Sequence, residues 1–556
     1  MRDRKATRDF EPLSYSLAMG TLALKRGYDW MRAAIRRPDP ELIRIREEVE
    51  RQMHEALPPS GPPLARSVLV DGSFDNPNYF LRLALMQAAL GLAGARQIGL
   101  TGEYSVDPCT ATLRRLGIEN VVPFISSSRS EARRLARSFL RHCRTADDVL
   151  ALQLPYGFPT ATLYDHALRI QRKASLDVTD PLLVEYVADV LQALQSAERL
   201  LDSHDPDLIL LSHAVTPLGA ALAWLGMRRG IHAIVMFGMF GTCRYWRMTE
   251  PEHFFACMDA PRGHDLESLD ANQLEALREI GSRYLDYRLS GLTNDVATRF
   301  AFAQGQRPSR AILSEHFGWD PSKPVVTVYA SNWFDYPHFM GMSHFTDFLD
   351  WIEVTRRVAE QRTAVNWLFR AHPVDAWYGG LTLSDVLSDG MPPHMKLCPV
   401  EWTGGAVMDM ADAMVTCHGT AGVEYAARGK PVLSADPGPA WYRDCGFTLV
   451  PRDRADYEAL LGRNWWTEIA LAHARGRAEA FAGWYFCVPE WQNGATLPDD
   501  ALQQKLHPYI SRYLGNCSET VATEVRTIRM WFESGDRLYH TWKMRQAQSY
   551  ALSNTL

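Results

Sequence analysis

Short apolar runs alternate with longer amphipathic stretches through the first half of the chain. The stretches at 78–92 and 110–116 carry apolar residues at helical spacing, and a helical pattern also covers about 128–202. The apolar runs, which predict strands, cover residues 67–70, 96–102, 120–125, 207–213 and 231–237. Strands that alternate with helices indicate a parallel sheet with helices on its faces.

A second series of alternating elements begins at Lys323-Pro324, after a helical pattern over residues 264–317. Helices of this series are predicted at about 344–360 and 421–428. Its strands are predicted at 325–330, 364–369, 395–400, 412–417 and from 432 onward. Two separate series of this kind predict two Rossmann-like α/β domains rather than one continuous sheet.

The length of the chain supports this division, because 556 residues are too many for one ordinary core. The proline-rich run 58–63 reads as a linker after an N-terminal helical region. We therefore expect a helical extension with its linker at 1–63, a first Rossmann-like domain at 64–285, a helical connection at 286–322, a second Rossmann-like domain at 323–490, and C-terminal helices at 491–556 that pack back on the first domain.

The segment 22–37 combines five basic residues with Tyr28, Trp30 and several aliphatic side chains. Such a basic helix with aromatic residues can lie on an anionic membrane surface, but it can equally pack on the body of the protein. Peripheral contact with the cytoplasmic membrane is therefore one interpretation of this segment.

Composition narrows the class of protein. The hydrophobic fraction is 46% and the charged fraction 22%, as in ordinary globular proteins, and the net charge of −6 argues against a nucleic-acid partner. The nine cysteines are scattered without a C-x-x-C pair, which predicts neither a zinc site nor a disulfide framework and favours a cytoplasmic location. We find no signal-peptide pattern and no uncharged apolar run of membrane-spanning length.

One chemical motif is the segment from Val415 to Glu424, in which an apolar strand enters the turn His418-Gly419-Thr420 and a helix follows. Gly419 permits close approach of a ligand to the backbone, and Thr420 can cap the helix. Exposed N–H groups at such a turn favour an anion, most plausibly phosphate. Glu424 lies one turn into the helix, within reach of a ribose hydroxyl. The alternative is an ordinary strand–helix turn with a capping threonine.

A second motif, Arg370-Ala371-His372-Pro373, stands at the carboxyl end of a predicted strand. Ligands of open α/β sheets bind outside these ends, so His372 could contact a phosphate or assist the leaving group. Pro373 makes the turn rigid. A histidine at a strand end is often only structural, but the phosphate-type turn follows in the same domain.

These motifs together with Gly429-Lys430-Pro431 resemble the capsule polysaccharide biosynthesis family, which includes bacterial Kdo transferases. They are also similar to polysialyltransferases and to CDP-glycerol polyol-phosphate transferases. The resemblance covers about 320–450 and implies a GT-B-like fold, with two Rossmann-like domains that face each other across a cleft. It implies a nucleotide-sugar substrate held by the second domain, with phosphate contacts from His372 and Thr420. The turn differs from the adjacent hydroxyl pair common in these relatives, which leaves the nucleotide open.

The implied function is a glycosyltransferase that moves a sugar from a nucleotide-activated donor, with a CMP-linked donor as one option, to a surface or capsular polysaccharide or a glycolipid. The further donor-site candidates are Ser331 and Asn332 at the end of the first strand of the second domain, together with Arg370, Pro373, His418, Gly419 and Glu424. No Asp-x-Asp lies at a convincing strand end, so we expect no essential metal and no cofactor. A polyol-phosphate transferase, a sugar epimerase and a non-catalytic nucleotide-sugar-binding protein remain alternatives.

The first domain should supply the acceptor site and a general base. Asp71 and His213, each at the end of a predicted strand, are the candidates for that base, with Glu103 behind them. Asp71 could equally cap its turn. Arg244 and Arg247 follow another strand and could hold a phosphate or an acidic sugar, although a surface role fits them as well.

Overall fold

The computed structural model describes residues 40–57, 60–102, 108–236, 245–255, 260–291, 298, 301–302, 305–373, 375, 380–387, 390–438, 441–487, 507–516 and 518–546. The basic segment 22–37, Glu103 and Arg244 lie outside these residues, so what we expected of them stays a prediction. None of the described helices is long and apolar enough to cross a membrane.

The first sheet has the strand order β3-β2-β1-β4-β5-β6. Its strands are β1 Ser67–Asp71, β2 Arg96–Thr101, β3 Asn120–Pro123, β4 Leu208–Leu211, β5 His232–Val235 and β6 Trp246–Met248. Neighbouring strands are parallel except for β6, which pairs antiparallel with β5 and was not predicted. The central strands are apolar and fully buried because helices cover both faces of a parallel sheet.

Helices flank this sheet and make up the N-terminal extension. They are α1 Pro40–Glu55, α2 Pro77–Leu90, α3 Pro108–Arg115, α4 Arg129–Leu140, α5 Ala146–Leu150, α6 Thr160–Gln171, α7 Leu183–His204 and α8 Pro217–Arg228. Local signals fix their ends. For α2, the Asn76 side chain accepts hydrogen bonds from the N–H groups of Asn78 and Tyr79, and Gly91 ends the helix at φ 66°.

The second sheet has the order β11-β10-β7-β8-β9, with all pairs parallel. Its strands are β7 Val325–Tyr329, β8 Asn366–Arg370, β9 Met395–Leu397, β10 Ala413–Thr416 and β11 Val432–Ser434. The later helices are α9 Gly263–Glu267, α10 Ala271–Leu289, α11 Arg310–Phe317, α12 Phe348–Gln361, α13 Leu383–Leu387, α14 Gly404–Met410, α15 Ala421–Ala427, α16 Arg454–Leu461, α17 Leu471–Tyr485, α18 His507–Asn516 and α19 Ser518–Ser534.

Two largely parallel sheets, each flanked by helices, confirm the α/β fold class expected from the sequence, with two Rossmann-like units and helical extensions at both ends. The chain turns back on itself at its C-terminal end. Helix α19 packs on α2 of the first unit, and Arg247 of β6 donates from Nη2 to the carbonyl of Phe532 at 2.6 Å. Helix α18 packs on α1.

Helix α10 packs mainly on the second unit, although we expected the first domain to extend to residue 285. Its main partner is α17, and the two helices come close enough that a Cβ on Gly281 would lie 1.8 Å from the carbonyl oxygen of Glu479. Leu277 and Leu285 of α10 share an apolar cluster with Val423 of α15. The helical pattern over 264–317 gives no information on which sheet it covers, because the apolar face of a helix is complementary to either.

Candidate functional site

A cavity of about 200 Å³ opens at the carboxyl edge of the second sheet. From β7 the chain proceeds to β8 and β9 on one side, and β10 and β11 lie on the other, so the order reverses between β7 and β10. Ligands of open α/β sheets bind at such a reversal. The walls include the loops that follow β7, β8 and β10, with Ser331, Asn332, Arg370, His372, Pro373, His418, Gly419, Thr420 and Glu424 among them.

The turn after β10 has the expected course but a different hydrogen-bonding pattern. Thr420 stands at the start of α15 with helical backbone angles, and its side chain does not cap the helix. The N–H of Gly419 is bound by the Thr416 hydroxyl at 3.2 Å, and the carbonyl of Gly419 accepts from the Tyr442 hydroxyl at 2.9 Å. Helix α15 has only seven residues, so anion binding here must depend on side chains more than on a helix dipole.

Arg288, from the end of α10, inserts its guanidinium between Glu424 and Thr420. Its Nε donates to Glu424 Oε1 at 2.5 Å and its Nη2 donates to Thr420 Oγ1 at 3.2 Å. The side chains of Arg288 and Glu424 are only 6% and 3% exposed. Glu424, expected to contact ribose, is therefore already paired, and the Arg288 cation is held at the wall of the cavity beside Thr420.

His418 is held in its neutral form. Burial lowers its pKa to about 4, and the nearby charge of His372 acts in the same direction. Its ring stacks on Phe348 with 5.2 Å between centroids, and its Nδ1 lies 3.3 Å from Ser331 Oγ. The contact between Ser331 and His418 therefore joins the loops after β7 and β10 at the point where the strand order reverses.

The side chains of the predicted Arg370-Ala371-His372-Pro373 motif have separate functions. His372 and Pro373 line the cavity, as does Arg370. However, both terminal nitrogens of Arg370 donate to the carbonyl of Trp402 at 3.0 Å, and its Nη1 also contacts Cys398 Sγ at 3.2 Å. Arg370 thus fixes the neighbouring loop, whereas His372 and Pro373 contribute to the cavity wall.

Asn332 combines full burial with an unused acceptor. Its side chain is 3% exposed and its Nδ2 donates to Asp375 Oδ1 at 3.0 Å. Its Oδ1 is buried and has no hydrogen-bond partner in the described part of the chain. Burial raises the pKa of Asp375 to about 6, against the lowering effects of the Asn332 amide and the His372 backbone. An unpaired buried acceptor at a cavity wall suits a donor group of a ligand, such as a hydroxyl.

Asp71 and His213 do not belong to the residues that line this cavity. Asp71 is 7% exposed, and Ser73 and Ser212 occupy both of its oxygens. Ser73 donates from N and Oγ to Oδ1, and Ser212 donates from N and Oγ to Oδ2. This pattern is that of a carboxylate that joins the ends of β1 and β4.

His213, one residue beyond Ser212, packs edge-on against Phe74 with 4.5 Å between ring centroids. Burial lowers its pKa to about 4, with the Asp71 charge opposing and Arg82 reinforcing the shift. Arg247, weighed as a phosphate ligand, is 5% exposed and lies 4.6 Å over the Phe532 ring. It anchors the C-terminal helix, so neither residue faces the cavity described above.

Sequence reasoning missed three residues of the site. Arg288 comes from a helix whose pattern shows only an amphipathic face, and no local signal marks it as a ligand. Asp335 and Asp375 follow strand ends by several residues, so they fall outside the strand-end rule. Asp335 is half-buried at the cavity wall; desolvation of its carboxylate raises its pKa, Arg169 opposes the shift and Asp165 adds to it.

The chain is similar to several solved structures at low sequence identity. They include a glycotransferase of kitacinnamycin (16% identity, 75% of this chain and 96% of that one, TM-score 0.23) and the UDP-GlcNAc 2-epimerase from Neisseria meningitidis bound to UDP-GlcNAc (11% identity, 75% and 96%, TM-score 0.23). A third is the glycosyltransferase SnogD from Streptomyces nogalater (12% identity, 75% and 96%, TM-score 0.22). Likenesses at this level do not define an activity.

No protein-family profile matches the chain. No curated protein matches it in sequence either. The resemblance to capsule enzymes therefore stays an expectation. Within the described ranges, no three His, Cys, Asp or Glu side chains are grouped so that they could hold a metal ion.

Proposed function

We propose that this protein is a glycosyltransferase that takes a sugar from a nucleotide-activated donor bound at the β7–β10 reversal of the second sheet. The observation that carries the proposal is the convergence of three loops on one cavity with complementary groups. His372, Thr420 and Arg288 offer hydrogen-bond donors, and Asn332 Oδ1 offers a buried acceptor. Donors suit phosphate oxygens, and the acceptor suits a sugar or ribose hydroxyl.

The chemistry follows from this set of groups. The bond between the anomeric carbon and the phosphate oxygen breaks, and negative charge develops on the departing nucleotide. Donors already aimed at that oxygen stabilise the charge where it forms. Arg288 is suited to this task because its guanidinium always remains charged, while Glu424 keeps the buried cation compensated.

The acceptor hydroxyl forms the new bond to the anomeric carbon and gives its proton to a base. Asp335 is a better candidate for that base than Asp71, since Asp335 lines the cavity whereas both oxygens of Asp71 are engaged. Its raised pKa makes the Asp335 carboxylate a stronger base than an ordinary aspartate. The resemblance to capsule enzymes supports a surface polysaccharide or glycolipid as the acceptor. The proposed reaction uses neither a metal nor another cofactor.

Thermal unfolding with CMP, CDP, UDP and GDP tests the proposal. A ligand that binds only the folded state raises the unfolding midpoint, so at least one nucleotide should do so in the wild type. His372→Ala should reduce the rise, whereas His264→Ala, on an exposed side chain of α9, should leave it unchanged. No rise with any nucleotide at millimolar concentration, or an equal rise in His372→Ala, would contradict the proposal.

Donors that carry the selected nucleotide then decide the reaction. A glycosyltransferase transfers no phosphorus to the acceptor and releases the nucleotide with all of its phosphate groups. A polyol-phosphate transferase would place phosphorus in the product, and an epimerase would need no acceptor. Phosphorus analysis of the purified product separates these outcomes.

A further inference from the structure

Helix α6 of the first unit contacts the long loop that follows β7 in the second unit. This loop, residues 330–347, carries Ser331, Asn332 and Asp335 of the cavity wall and has no helix or strand of its own. Loops of this length depend on contacts with the rest of the fold to keep one conformation. The question is which contacts hold it.

Asp165 of α6 makes several of these contacts. Its side chain is 1% exposed. Oδ2 accepts from the N–H of Phe339 at 2.9 Å and from the N–H of His338 at 3.1 Å. Oδ1 lies 2.7 Å from His338 Nδ1. One carboxylate from the first unit thus binds two consecutive backbone N–H groups and a ring nitrogen of the second.

Two other residues of α6 extend the contact along the loop. Tyr164 donates its hydroxyl to Asp347 Oδ2 at 2.6 Å. Arg169 lies over the ring of Tyr336 at 5.5 Å, with its Nη1 3.8 Å from Asp335 Oδ1. Tyr336 has φ 53°, a left-handed conformation that is rare for a bulky residue and persists only when its surroundings impose it. The strained residue is therefore next to the cavity residue Asp335.

We propose that Asp165 is a positioning residue for the donor pocket: from the first unit it fixes the loop 330–347 so that Ser331, Asn332 and Asp335 face the cavity. The inference rests on the proposed function in so far as the ligand is a nucleotide-activated donor. It goes further because it makes donor binding by the second unit depend on a carboxylate of the first.

The protonation of His338 supports this assignment. Burial lowers the pKa of His338, but the charge of Asp165 more than offsets this effect. Asp347 and a backbone hydrogen bond with Thr346 also raise the pKa, so it lies above the ordinary histidine value. These groups and the Tyr164 ring, 4.8 Å away, surround it. The ionic part of the contact is complete below the usual histidine pKa and is lost as pH rises through the raised value.

Hydrogen exchange of the ligand-free protein provides the first test. Asp165→Ala removes all three contacts, so backbone exchange should rise at 336–340 and also at 331–335, which Asp165 does not touch. Asp189→Ala is the matched control. Asp189 of α7 contacts His166, the neighbour of Asp165 on α6, at 3.3 Å and Arg129 at 2.6 Å, so both of these contacts stay within the first unit. It should leave 331–335 unchanged. Unchanged exchange at 331–335 in Asp165→Ala overturns the proposal.

Nucleotide affinity provides the second test, with the nucleotide selected by the thermal panel. Asp165→Ala should raise its Kd between about twofold and thirtyfold, the range of coupling through a packed contact. Asp165→Asn keeps an oxygen for the backbone N–H groups and loses the charge, so its nucleotide Kd should rise less and should lose the pH dependence that His338 confers. In the wild type, Kd should increase as pH rises through the raised pKa of His338. The NMR titration of His338 should move to lower pH in Asp165→Asn.

The outcomes separate the two proposals. If the wild type binds no nucleotide but 331–335 loosen in Asp165→Ala, the proposed function fails and the loop-fixing role of Asp165 stands. If the loop loosens but the nucleotide Kd is unchanged, the proposed function stands and the positioning role is wrong. Should Asp165→Ala fail to fold by circular dichroism, Asp165→Asn decides through its Kd and its pH profile, and a wild-type profile in that variant overturns the positioning role.

Discussion

The two sheets reverse their strand order in the same way but use the reversal differently. In the first sheet the reversal lies between β1 and β4, and in the second between β7 and β10. Each places a histidine two residues beyond the later strand, His213 and His418, and burial lowers the pKa of both to about 4. Ser212 and Ser73 occupy the oxygens of Asp71 at the first reversal, whereas the second keeps a cavity with the unpaired acceptor Asn332 Oδ1.

A reversal of strand order therefore provides a location for a binding site, but it does not by itself form the site. A carboxylate satisfied by four donors joins strands, and it has no lone pair left in the right direction for a ligand. A site needs polar groups that the protein holds in place without satisfying them completely.

Arg288→Ala should have the largest effect, because it leaves the Glu424 carboxylate buried without its partner. We expect the free energy of unfolding to fall by about 3–5 kcal/mol in denaturant titrations. The matched control is Arg428→Ala, since Arg428 and Asp286 link the same region at 2.8 Å but are 45% and 63% exposed. That variant should lose less than about 1 kcal/mol. Equal losses would mean that the buried pair has no special role at the second reversal.

His372→Ala should lower donor turnover by about 100-fold while leaving the fold unchanged, because it removes one donor to the departing nucleotide. This corresponds to about 2.7 kcal/mol of transition-state stabilisation. Steady-state rates and circular dichroism check the two parts. Turnover at the wild-type rate would show that His372 does not contact the departing nucleotide. The second reversal would then lack one of the functional groups that we propose for it.

Asp71→Ala should show the opposite pattern. It leaves the donors of Ser73 and Ser212 without their acceptor, so the free energy of unfolding should fall by about 1.5–3 kcal/mol. The nucleotide Kd should change little, since Asp71 does not line the cavity. If instead turnover fell by about 100-fold in a variant as stable as the wild type, Asp71 would be the general base and the first reversal would be the catalytic one.

Thr420→Ala should weaken nucleotide binding by only about 1 kcal/mol, roughly fivefold in Kd, because one hydroxyl is lost and Arg288 remains. Thr420→Ser keeps the hydroxyl and should bind like the wild type. Calorimetric titration of both variants measures the difference. Identical affinity of Thr420→Ala and the wild type would exclude the Thr420 hydroxyl from the ligand contacts.

The smallest expected effect is the change in the free energy of unfolding with pH near neutrality. Both reversals should contribute to it, through His213 and His418. His213 and His418 have folded pKa values near 4, below the unfolded value, so the unfolded chain binds more protons and stability falls as pH drops from about 6.5 toward 4. Asp375, with a raised pKa of about 6, acts in the opposite direction over part of this range. His213→Gln and His418→Gln should each flatten the profile of unfolding free energy against pH.

The positions of the cavity loops could be predicted because strand ends are a local property of the sequence. The runs around 325–330 and 412–417 give β7 and β10 to within a residue or two, so Ser331 and His418 were expected at the same edge of the sheet. The antiparallel strand β6 was missed, because three residues, Trp246–Met248, are too few to show a period. The helix cap predicted for Thr420 is absent, since its hydroxyl contacts Arg288 instead.

The two α/β series, their parallel sheets and the residues at the ends of their strands could be read from the sequence. The spacing of apolar residues and the capping residues act over only a few positions, so they are visible locally. Only the tertiary structure decided which of those strand-end residues face a cavity. Arg288 meets Glu424 across 136 residues, and Asp165 meets His338 across 173. Such partners depend on how helices and sheets pack, and an amphipathic pattern specifies that a face is buried without specifying the surface that covers it.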